Sequence, residues 1–304
     1  MFTLHTSSHF RFVRGRLGLC WVLLAMTLAA QAQTQADCTF NFFSLQTTIT
    51  APDGTPVFMQ PRGINDFGTI VGVGYRGSAG SVGLIRWANG GFTHVQGTRA
   101  LTARNDHGTS IGTDRVNGLF REILVNGQTI TPIVLDANKG SLEILARGIN
   151  KWGTIVGEYF GIDGGHGFKL WKNGTTHTLD FPGTRPSSTF ANGINDNGTV
   201  VGHYDDANVP LTHGFIFHNG QWATLDYPNA FDTQLIGITN AGTVIGYVQT
   251  NTFTGYFLYE NGTFKVISLP NGGPMGLLSI SPKQGLILGV TELVGSPAFI
   301  AQCQ

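Results

Sequence analysis

Apolar and polar residues alternate along this chain in short runs, and the runs recur with a long, regular period. The clearest one is Gly63–Gly72, with the sequence Gly-Ile-Asn-Asp-Phe-Gly-Thr-Ile-Val-Gly, which returns as Gly148–Gly157 and Gly193–Gly202. Looser copies are Gly237–Gly246, Ala103–Gly112 and the most degenerate, Ile280–Gly289. The turn glycines of the six copies are spaced 40, 45, 45, 44 and 43 residues apart. Such a period is typical of a repeat architecture.

Each unit has the pattern of four short strands. In the fourth copy the predicted strands are Thr189–Asn195, Thr199–Asp205, His213–Phe217 and Gln221–Tyr227. Asn197-Gly198 and Asn219-Gly220 lie between the paired strands, and both residue types tolerate positive φ. Pro228 ends the last strand, because proline cannot donate to a strand ladder.

Six units of four antiparallel strands predict a six-bladed β-propeller. Glycine is abundant at 43 residues and only 12% of the chain is charged, which favours strands and tight turns. Other all-β arrangements remain open. A parallel β-helix is disfavoured because its coils are shorter and lack paired Asn-Gly hairpins.

The strand count predicts how the ring closes. The sixth unit has strands near Leu277–Ser281, Leu286–Thr291 and Ala298–Cys303, but the chain then ends at Gln304 without a fourth. Thr39–Leu45 precedes the first full unit and lacks a unit of its own. We therefore expect the N-terminal strand to complete the last blade, which removes an open sheet edge.

The N-terminal region has the pattern of a signal peptide. Three arginines precede the apolar run Leu17–Ala30, and Ala30-Gln31-Ala32 is a small-x-small cleavage site. The predicted organisation is a signal peptide over 1–32, a short segment over 33–37 and the propeller over 38–304. A membrane anchor is the alternative, although the run is too short to span a bilayer comfortably. No other apolar run is long enough to span.

Cleavage would leave two of the three cysteines, Cys38 and Cys303, at opposite ends of the mature chain. In an oxidising compartment such a pair predicts a disulfide, with free thiols or pairing between chains as alternatives. The full chain has 18 basic and 18 acidic residues. Loss of Arg11, Arg14 and Arg16 leaves 15 basic residues, so the mature chain is mildly acidic and offers no electrostatic footprint for nucleic acid.

The Gly-Ile-Asn-Asp-x-Gly-Thr segments, together with His-Gly-Phe at His166 and His213, resemble the bacterial HAF-repeat family of extracellular proteins. The resemblance covers nearly the whole mature chain and is strongest in the third and fourth units. It implies export from a bacterium and leaves the biochemical role open. Some members carry a C-terminal sorting anchor. The sequence ends at Gln304 without such an anchor, so a free periplasmic or extracellular protein is expected.

Candidate chemistry is sparse. The positions equivalent to His166 and His213 hold Val82 and Thr254 in other units, so the sequence does not predict a symmetric histidine site. A polar residue at the start of a strand is the simpler interpretation. The Asn-Asp-x-Gly turns could suggest calcium, but the spacing does not match an EF-hand and side chains that bond their own turn suffice. Glycines such as Gly72 in strands indicate bulges or close backbone approach. We predict no catalytic residue, metal or cofactor.

Binding is expected on one face of the ring. In an antiparallel blade, the turns that join the first strand to the second and the third to the fourth share one face of the ring. We call it the turn face, and its turns are mostly regular. The loops that join the second strand to the third, and those that join one blade to the next, share the opposite face. We call it the loop face, and its loops vary between units. Variable loops on a rigid scaffold are the usual place for binding. The candidate ligand-binding residues are Arg76, Asp114, Arg115, Glu158, Asp163, Arg185, Asp205 and Asp206, with ordinary solvated loop residues as the alternative interpretation.

Three functions fit these features. The first is a secreted, non-catalytic binding or scaffold module for a glycan, cell-surface or protein ligand, taken to be monomeric. The second is a glycan-active hydrolase or lyase, which would need two carboxylates aimed across the central opening, from Glu158, Asp205 and Asp206. The third is a structural role in the cell envelope. Propellers host many functions, so the fold does not decide among them.

Overall fold

The computed structural model describes residues 34–304 except 51–53, 55, 78–79, 136–142, 163, 184–187, 207, 292–296 and the side chain of residue 48. The predicted signal peptide, Asp163 and Arg185 lie outside the described residues. Those described contain 26 strands and no α-helix. Among them no helix is long and apolar enough to cross a membrane.

The strands follow the repeat. Three precede the first full unit: β1 (Thr34–Gln35), β2 (Cys38–Phe43) and β3 (Gln46–Thr50). The first two units form β4 (Pro56–Ile64), β5 (Ile70–Tyr75), β6 (Ser81–Arg86), β7 (Phe92–Val95), β8 (Ala100–Arg104), β9 (Thr109–Val116), β10 (Leu119–Asn126) and β11 (Thr129–Pro132). The next two form β12 (Glu143–Ile149), β13 (Ile155–Gly161), β14 (Gly164–Leu170), β15 (Thr176–Leu179), β16 (Thr189–Ile194), β17 (Val200–Asp205), β18 (Thr212–His218) and β19 (Gln221–Thr224). The last two form β20 (Asp232–Ile238), β21 (Val244–Gln249), β22 (Thr254–Glu260), β23 (Thr263–Ile267), β24 (Met275–Ile280), β25 (Ile287–Thr291) and β26 (Ala298–Cys303).

The strands pair as antiparallel meanders, in a β-propeller arrangement. Four sheets hold one meander each: β4–β7 with β3 added, β8–β11, β12–β15, and β24–β26 with β2. The fifth sheet has nine strands and contains two meanders, β16–β19 and β20–β23, joined by the single parallel pair Thr212–Asp232, with β1 parallel to β23. The prediction of an all-β propeller is confirmed. The sequence pattern did not predict β1 or β3.

The chain ends pair as the strand count predicts. Strand β2 lies antiparallel to β26 over Cys38–Phe43, so the N-terminal strand is the outer strand of the last sheet. Cys38 lies directly opposite Cys303, and the two form a disulfide across 265 residues of sequence. Gln304 also donates its backbone N–H to the carbonyl of Asp37 at 2.8 Å. The predicted disulfide is confirmed.

The core lies between neighbouring sheets, and the repeated glycines make room for it. Third strands supply fully buried side chains, including Phe168, Phe215, Phe257 and Phe299. The Val-Gly glycines of the second strands lie against these side chains and against the backbone of the first strand. A Cβ on Gly202, for example, would lie 1.9 Å from the Phe190 carbonyl oxygen. Each of these glycines pairs with a residue beside a β-bulge in the first strand, as at Ala191/Gly193. The predicted close approach is therefore confirmed.

A buried asparagine in each of the first four units links it to the next. Asn150 is 2% exposed, and its Oδ1 accepts the backbone N–H groups of Trp152 and Thr154 at 3.1 and 3.0 Å. Its Nδ2 donates to the carbonyl of Asn195, the equivalent residue one unit later, at 3.1 Å. Asn65, Asn105 and Asn195 make the same forward bond, to Asn105, Asn150 and Thr239. One side chain thus stabilises its own turn and joins two units.

The last two units replace this asparagine by Thr239 and Ser281. Their hydroxyls retain the turn bond, accepting from the N–H groups of Thr243 and Leu286. The forward contact comes instead from the Asn240 N–H, which donates to the Pro282 carbonyl at 2.6 Å. Asp66 completes the circle, because its Oδ1 accepts the N–H groups of Lys283 and Gln284, both at 2.8 Å.

Asn150→Ala is expected to lower the free energy of unfolding by about 2 to 4 kcal/mol, because it leaves two turn N–H groups unpaired and removes the bond to the next unit. The Asn195 carbonyl keeps its bond from the Gly198 N–H. Urea unfolding followed by circular dichroism measures this. Asn173→Ala is the matched control, since Asn173 makes one such bond, to the Thr175 N–H, at an exposed hairpin. Equal losses in the two variants would contradict the bridging role.

Cys303→Ser is expected to lower the melting temperature by several degrees, since closing so long a loop stabilises the fold by up to about 5 kcal/mol of chain entropy. Calorimetry with and without dithiothreitol measures the effect. The reductant should lower the wild-type melt and leave that of Cys303→Ser unchanged. A wild-type melt that is insensitive to reduction would rule out the staple.

Candidate functional site

The β-bulges turn one residue of each innermost strand into the central opening. These residues precede the Gly-Ile pair of the repeat or its equivalent: Arg62, Thr102, Arg147, Asn192, Ile236 and Leu278. All six line a cavity of about 510 Å³ whose wall contains residues from every unit. A bulge leaves its extra residue unpaired and re-aims the side chain. These six bulge residues are polar in the first four units and apolar in the last two.

Buried charges lie behind this wall between the second and third units. The Arg147 guanidinium Nε donates to both carboxylate oxygens of Glu158 at 3.0 and 3.2 Å, and Glu158 is 2% exposed. Glu122 is also buried and accepts from the Thr113 hydroxyl at 3.0 Å and the Ala146 N–H at 3.3 Å. Burial raises the pKa of Glu122 to about 7, partly offset by its hydrogen bonds and by Arg147 and Arg62.

The fourth unit contributes a neutral histidine beside the opening. Asn192 Nδ2 lies 3.1 Å from His203 Nδ1 and also donates to the Leu235 carbonyl at 2.8 Å. The Phe190 ring stacks on the imidazole at 4.7 Å. Burial lowers the pKa of His203 to about 4, so the ring is uncharged at neutral pH. His203 therefore contributes hydrogen bonding and stacking rather than charge.

The carboxylates among the predicted binding residues are held by neighbouring groups. Glu158 pairs with Arg147, as described. Asp114 is buried and accepts a bidentate pair from Arg121, at 3.2 and 2.6 Å. Asp205 accepts from the Thr212 hydroxyl at 3.0 Å. Asp206 accepts the N–H of Asn208 at 2.6 Å, and such backbone bonds lower its pKa.

Two arginines of the predicted binding residues, Arg76 and Arg115, lie in the described part of the chain. Arg115 Nε donates to the Gly118 carbonyl at 2.9 Å, and its guanidinium lies 5.5 Å from the Phe120 ring centre. The Arg76 N–H donates to the Gly80 carbonyl at 2.9 Å. Asp114 and Arg115 belong to strand β9 rather than to a loop, because the β9–β10 hairpin extends to a tight Asn117-Gly118 turn with positive φ. The described set thus stays spread over several units.

The two His-Gly-Phe histidines form pairs that the sequence pattern did not reveal. His166 Nδ1 lies 2.9 Å from Asp180 Oδ1, and His213 Nδ1 lies 2.6 Å from Asp226 Oδ2. Tyr159 and Tyr204 stack on the two imidazoles at 5.1 and 5.2 Å. The aspartates belong to the Leu-Asp-Phe and Leu-Asp-Tyr segments at the end of the fourth strand. Each His–Asp pair therefore joins the third strand of a unit to the segment that follows its fourth strand.

Exposed apolar side chains concentrate at the loop face. Among the described residues, most of the exposed large hydrophobic side chains lie at strand ends or loops of that face by the strand topology, and eight clear examples follow. They are Phe58, Tyr75, Val116, Leu119, Phe120, Ile162, Val209 and Phe231. Leu119 and Phe120, at the β9–β10 hairpin, are 74% and 72% exposed. Clusters of exposed hydrophobic groups usually mark interaction sites.

The turn face carries an acidic pair between the first and second units. Asp106 Oδ1 accepts the Asp66 N–H at 3.1 Å. Burial and the neighbouring Asp66 raise the pKa of Asp106 to about 6. Lys151 Nζ lies 3.6 Å from Asp196 Oδ2, so cations are interspersed around this end of the opening. Within the described part of the chain no group of three or more His, Cys, Asp or Glu could hold a metal ion.

No protein-family model matches the chain, and no curated protein matches it significantly. Similar solved structures are propellers. The propeller domain of the trilobed protease from Pyrococcus furiosus, described as having an open velcro topology, aligns with TM-score 0.52 and 8% identity over 81% of this chain and 97% of its own. TolB from Acinetobacter baumannii aligns at 0.53 and 14% over 78% and 65%, and a gluconolactonase from Xanthomonas campestris at 0.50 and 9% over 91% and 99%. At these identities the likeness shows the fold alone.

Glu122→Gln is expected to change how stability depends on pH. The folded pKa of about 7 lies above the ordinary 4.5, so the folded chain binds this proton more tightly than the unfolded chain. Wild-type stability therefore falls as pH rises from 4.5 to 7, by no more than about 3 kcal/mol from this group. Glutamine stays neutral and keeps the acceptor for Ala146.

Thermal melts should place Glu122→Gln above the wild type at pH 8 and level with it at pH 4.5. Glu143→Gln, an exposed glutamate in β12, is the control and should show no such divergence. A Glu122→Gln melt that parallels the wild type across this range would mean that Glu122 is ionised in the folded protein without penalty.

Proposed function

We propose that this protein is a secreted, non-catalytic binding module that holds a protein partner on its loop face. The scaffold is a six-bladed ring in this proposal, with the nine-stranded sheet counted as two blades, because among the described residues its two meanders pair only at Thr212 and Asp232. Each blade then corresponds to one repeat. The ring supplies rigidity, and the loops that differ between units supply specificity.

The observation that carries the proposal is the concentration of exposed apolar side chains on that face. The β9–β10 hairpin has strands of eight residues, and Val116, Leu119 and Phe120 lie exposed at its end. Arg115 lies over the Phe120 ring, which couples a cation to the apolar tip. Aromatic groups and arginine are enriched at protein interfaces, whereas a glycan offers less apolar surface to cover.

The carboxylate geometry supports binding over catalysis. A glycan-active hydrolase or lyase, the alternative, needs a pair of carboxylates that converge on the substrate. Glu158 is committed to Arg147, Asp205 bonds Thr212 and Asp206 bonds the backbone of its own loop. Release of reducing ends from envelope polysaccharides by the purified wild type would favour that alternative, and its absence would leave the binding role.

Secretion is part of the proposal. The Cys38–Cys303 disulfide supports it, because such bonds persist in oxidising compartments. The predicted signal peptide over 1–32 and the resemblance to HAF-repeat proteins point the same way. Mass spectrometry of the N-terminus of exported protein tests this part, with cleavage expected between Ala32 and Gln33.

The double variant Leu119→Ser, Phe120→Ser tests the binding face. Cross-linking and affinity capture from the secreting organism identify the partner, and biolayer interferometry then measures its affinity. The variant is expected to bind at least tenfold more weakly, because two exposed anchors are removed. Phe67→Ser is the matched control, since Phe67 is 67% exposed on the turn face.

Retention of wild-type affinity by the loop-face variant would overturn the proposal. So would an equal loss in Phe67→Ser, which would place the contact on the opposite face. Circular dichroism spectra of all three proteins should coincide, because the substituted side chains are exposed.

A further inference from the structure

A groove on the turn face lies outside the binding surface proposed above. It runs between sheet β8–β11 and sheet β12–β15 and has a volume of about 290 Å³. Its floor is apolar and includes Leu124, Ile133 and Ile155, and its edges carry two tryptophans, Trp152 and Trp171. Apolar and aromatic walls with a few polar groups are typical of small-ligand sites, and this volume lies near the lower end of their range, about 300 to 1,000 Å³.

The groove arises from unequal hairpins in the two units. The second unit turns tightly through Gly127-Gln128, directly after β10 ends at Asn126, and Gly127 has a positive φ. The third unit has a wider turn, in which the Gly174 N–H donates to the Trp171 carbonyl at 2.9 Å and the Trp171 N–H donates to that of Thr175. The wider turn places an indole beside the shorter neighbour. This asymmetry makes the groove a feature of one junction rather than of the repeat.

Trp152 is an exposed aromatic side chain held in a fixed orientation. It is 61% exposed, yet its indole Nε1 donates to the Asp196 carbonyl at 2.9 Å. The Lys151 ammonium lies 4.8 Å from its ring centre and adds a cation–π contact. Equivalent positions of the repeat hold Phe67, His107, Asn197, Ala241 and Gln284, so the scaffold does not require tryptophan here. A large apolar ring kept rigid in water is a stacking platform for the C–H face of a sugar.

The charged groups of the groove are two lysines. Lys151 and Lys172 line it, and no aspartate or glutamate is among its described lining residues. Lys151 is paired with Asp196 outside the groove, which leaves Lys172 for a ligand. The neutral polar groups are the side chains of Asn105, Thr109, Asn126 and Thr131, together with His107. His107 Nδ1 lies 2.8 Å from the Lys151 carbonyl. Because a carbonyl only accepts, Nδ1 carries the hydrogen, and Nε2 is left to meet a ligand hydroxyl. The Lys172 stem lies beside Gly153, where a Cβ would be 3.6 Å from its Cδ, so this side chain packs on the turn that carries Trp152.

We propose that this groove binds an acidic oligosaccharide. A sugar ring stacks on Trp152, and a uronate carboxylate pairs with Lys172. The fixed platform accounts for the sugar, and Lys172, beside neutral polar groups and no described carboxylate, accounts for the acidic group. The site is independent of the loop-face partner, since it uses the opposite face of the ring.

Isothermal titration with trigalacturonate and trimannuronate tests the proposal, with methyl-esterified trigalacturonate as the uncharged match. We expect one of the acidic trimers to bind and the ester to bind at least tenfold more weakly. Binding of neither acid, or equal binding of acid and ester, would overturn the proposal.

Two variants locate the site. Trp152→Ala should lose at least tenfold in affinity and still fold, because Ala241 occupies the equivalent position two units later. Lys172→Gln should weaken the acid and leave the ester unchanged. Trp87→Ala, which removes a partly exposed tryptophan in the first unit, is the control and should bind as the wild type does. Wild-type affinity in Trp152→Ala would place any binding elsewhere.

Discussion

The rest of the structure depends on one hydrogen-bonding arrangement, the asparagine amide that belongs to two sheets at once. Its oxygen accepts from its own turn, and its nitrogen donates to the equivalent carbonyl of the next unit, as from Asn105 to Asn150 at 3.0 Å. Both halves of the amide are buried, so loss of either bond leaves a polar group unpaired. The identical bond repeated from unit to unit fixes the rotation between sheets. The turn motif is therefore the joint of the ring as well as a turn.

This arrangement explains why the ring is asymmetric where the chain ends meet. The fifth and sixth units have a hydroxyl in place of the amide, at Thr239 and Ser281, which serves the turn but is shorter. The same region holds the pairings of the first two strands: β1 beside β23, β2 beside β26, and the Cys38–Cys303 bond. The region where the chain ends meet thus combines a covalent staple, two added strands and the Asp66 carboxylate, whereas the first four units are joined to the next by asparagine.

Much of the fold could be predicted from the sequence, because strand ends, turns and the missing fourth strand are local properties of each repeat. The forward bond of Asn150 could not, since a turn asparagine has the same local signature whether or not a neighbour lies beside it. The bulge residues were hidden for a similar reason: only the pairing register shows that Arg62 and Arg147 leave the ladder and line the opening. The carboxylates chosen from loops were candidates by position, and their partners, such as Arg121 for Asp114, lie on adjacent strands. Differences between hairpin lengths were visible in the sequence, but not the groove that they create.

Native-state hydrogen exchange tests the central claim most directly. The backbone N–H groups of Thr69, Thr154 and Thr199, which donate to the buried asparagine oxygens, lie in turns at the end of the ring. If the amides bind the sheets together, these three should exchange as slowly as the central strands and with a common opening free energy. Exchange as fast as that of the exposed Asn-Gly hairpins would contradict the account, because the turns that bond to the buried asparagines would then open while the sheets stay folded.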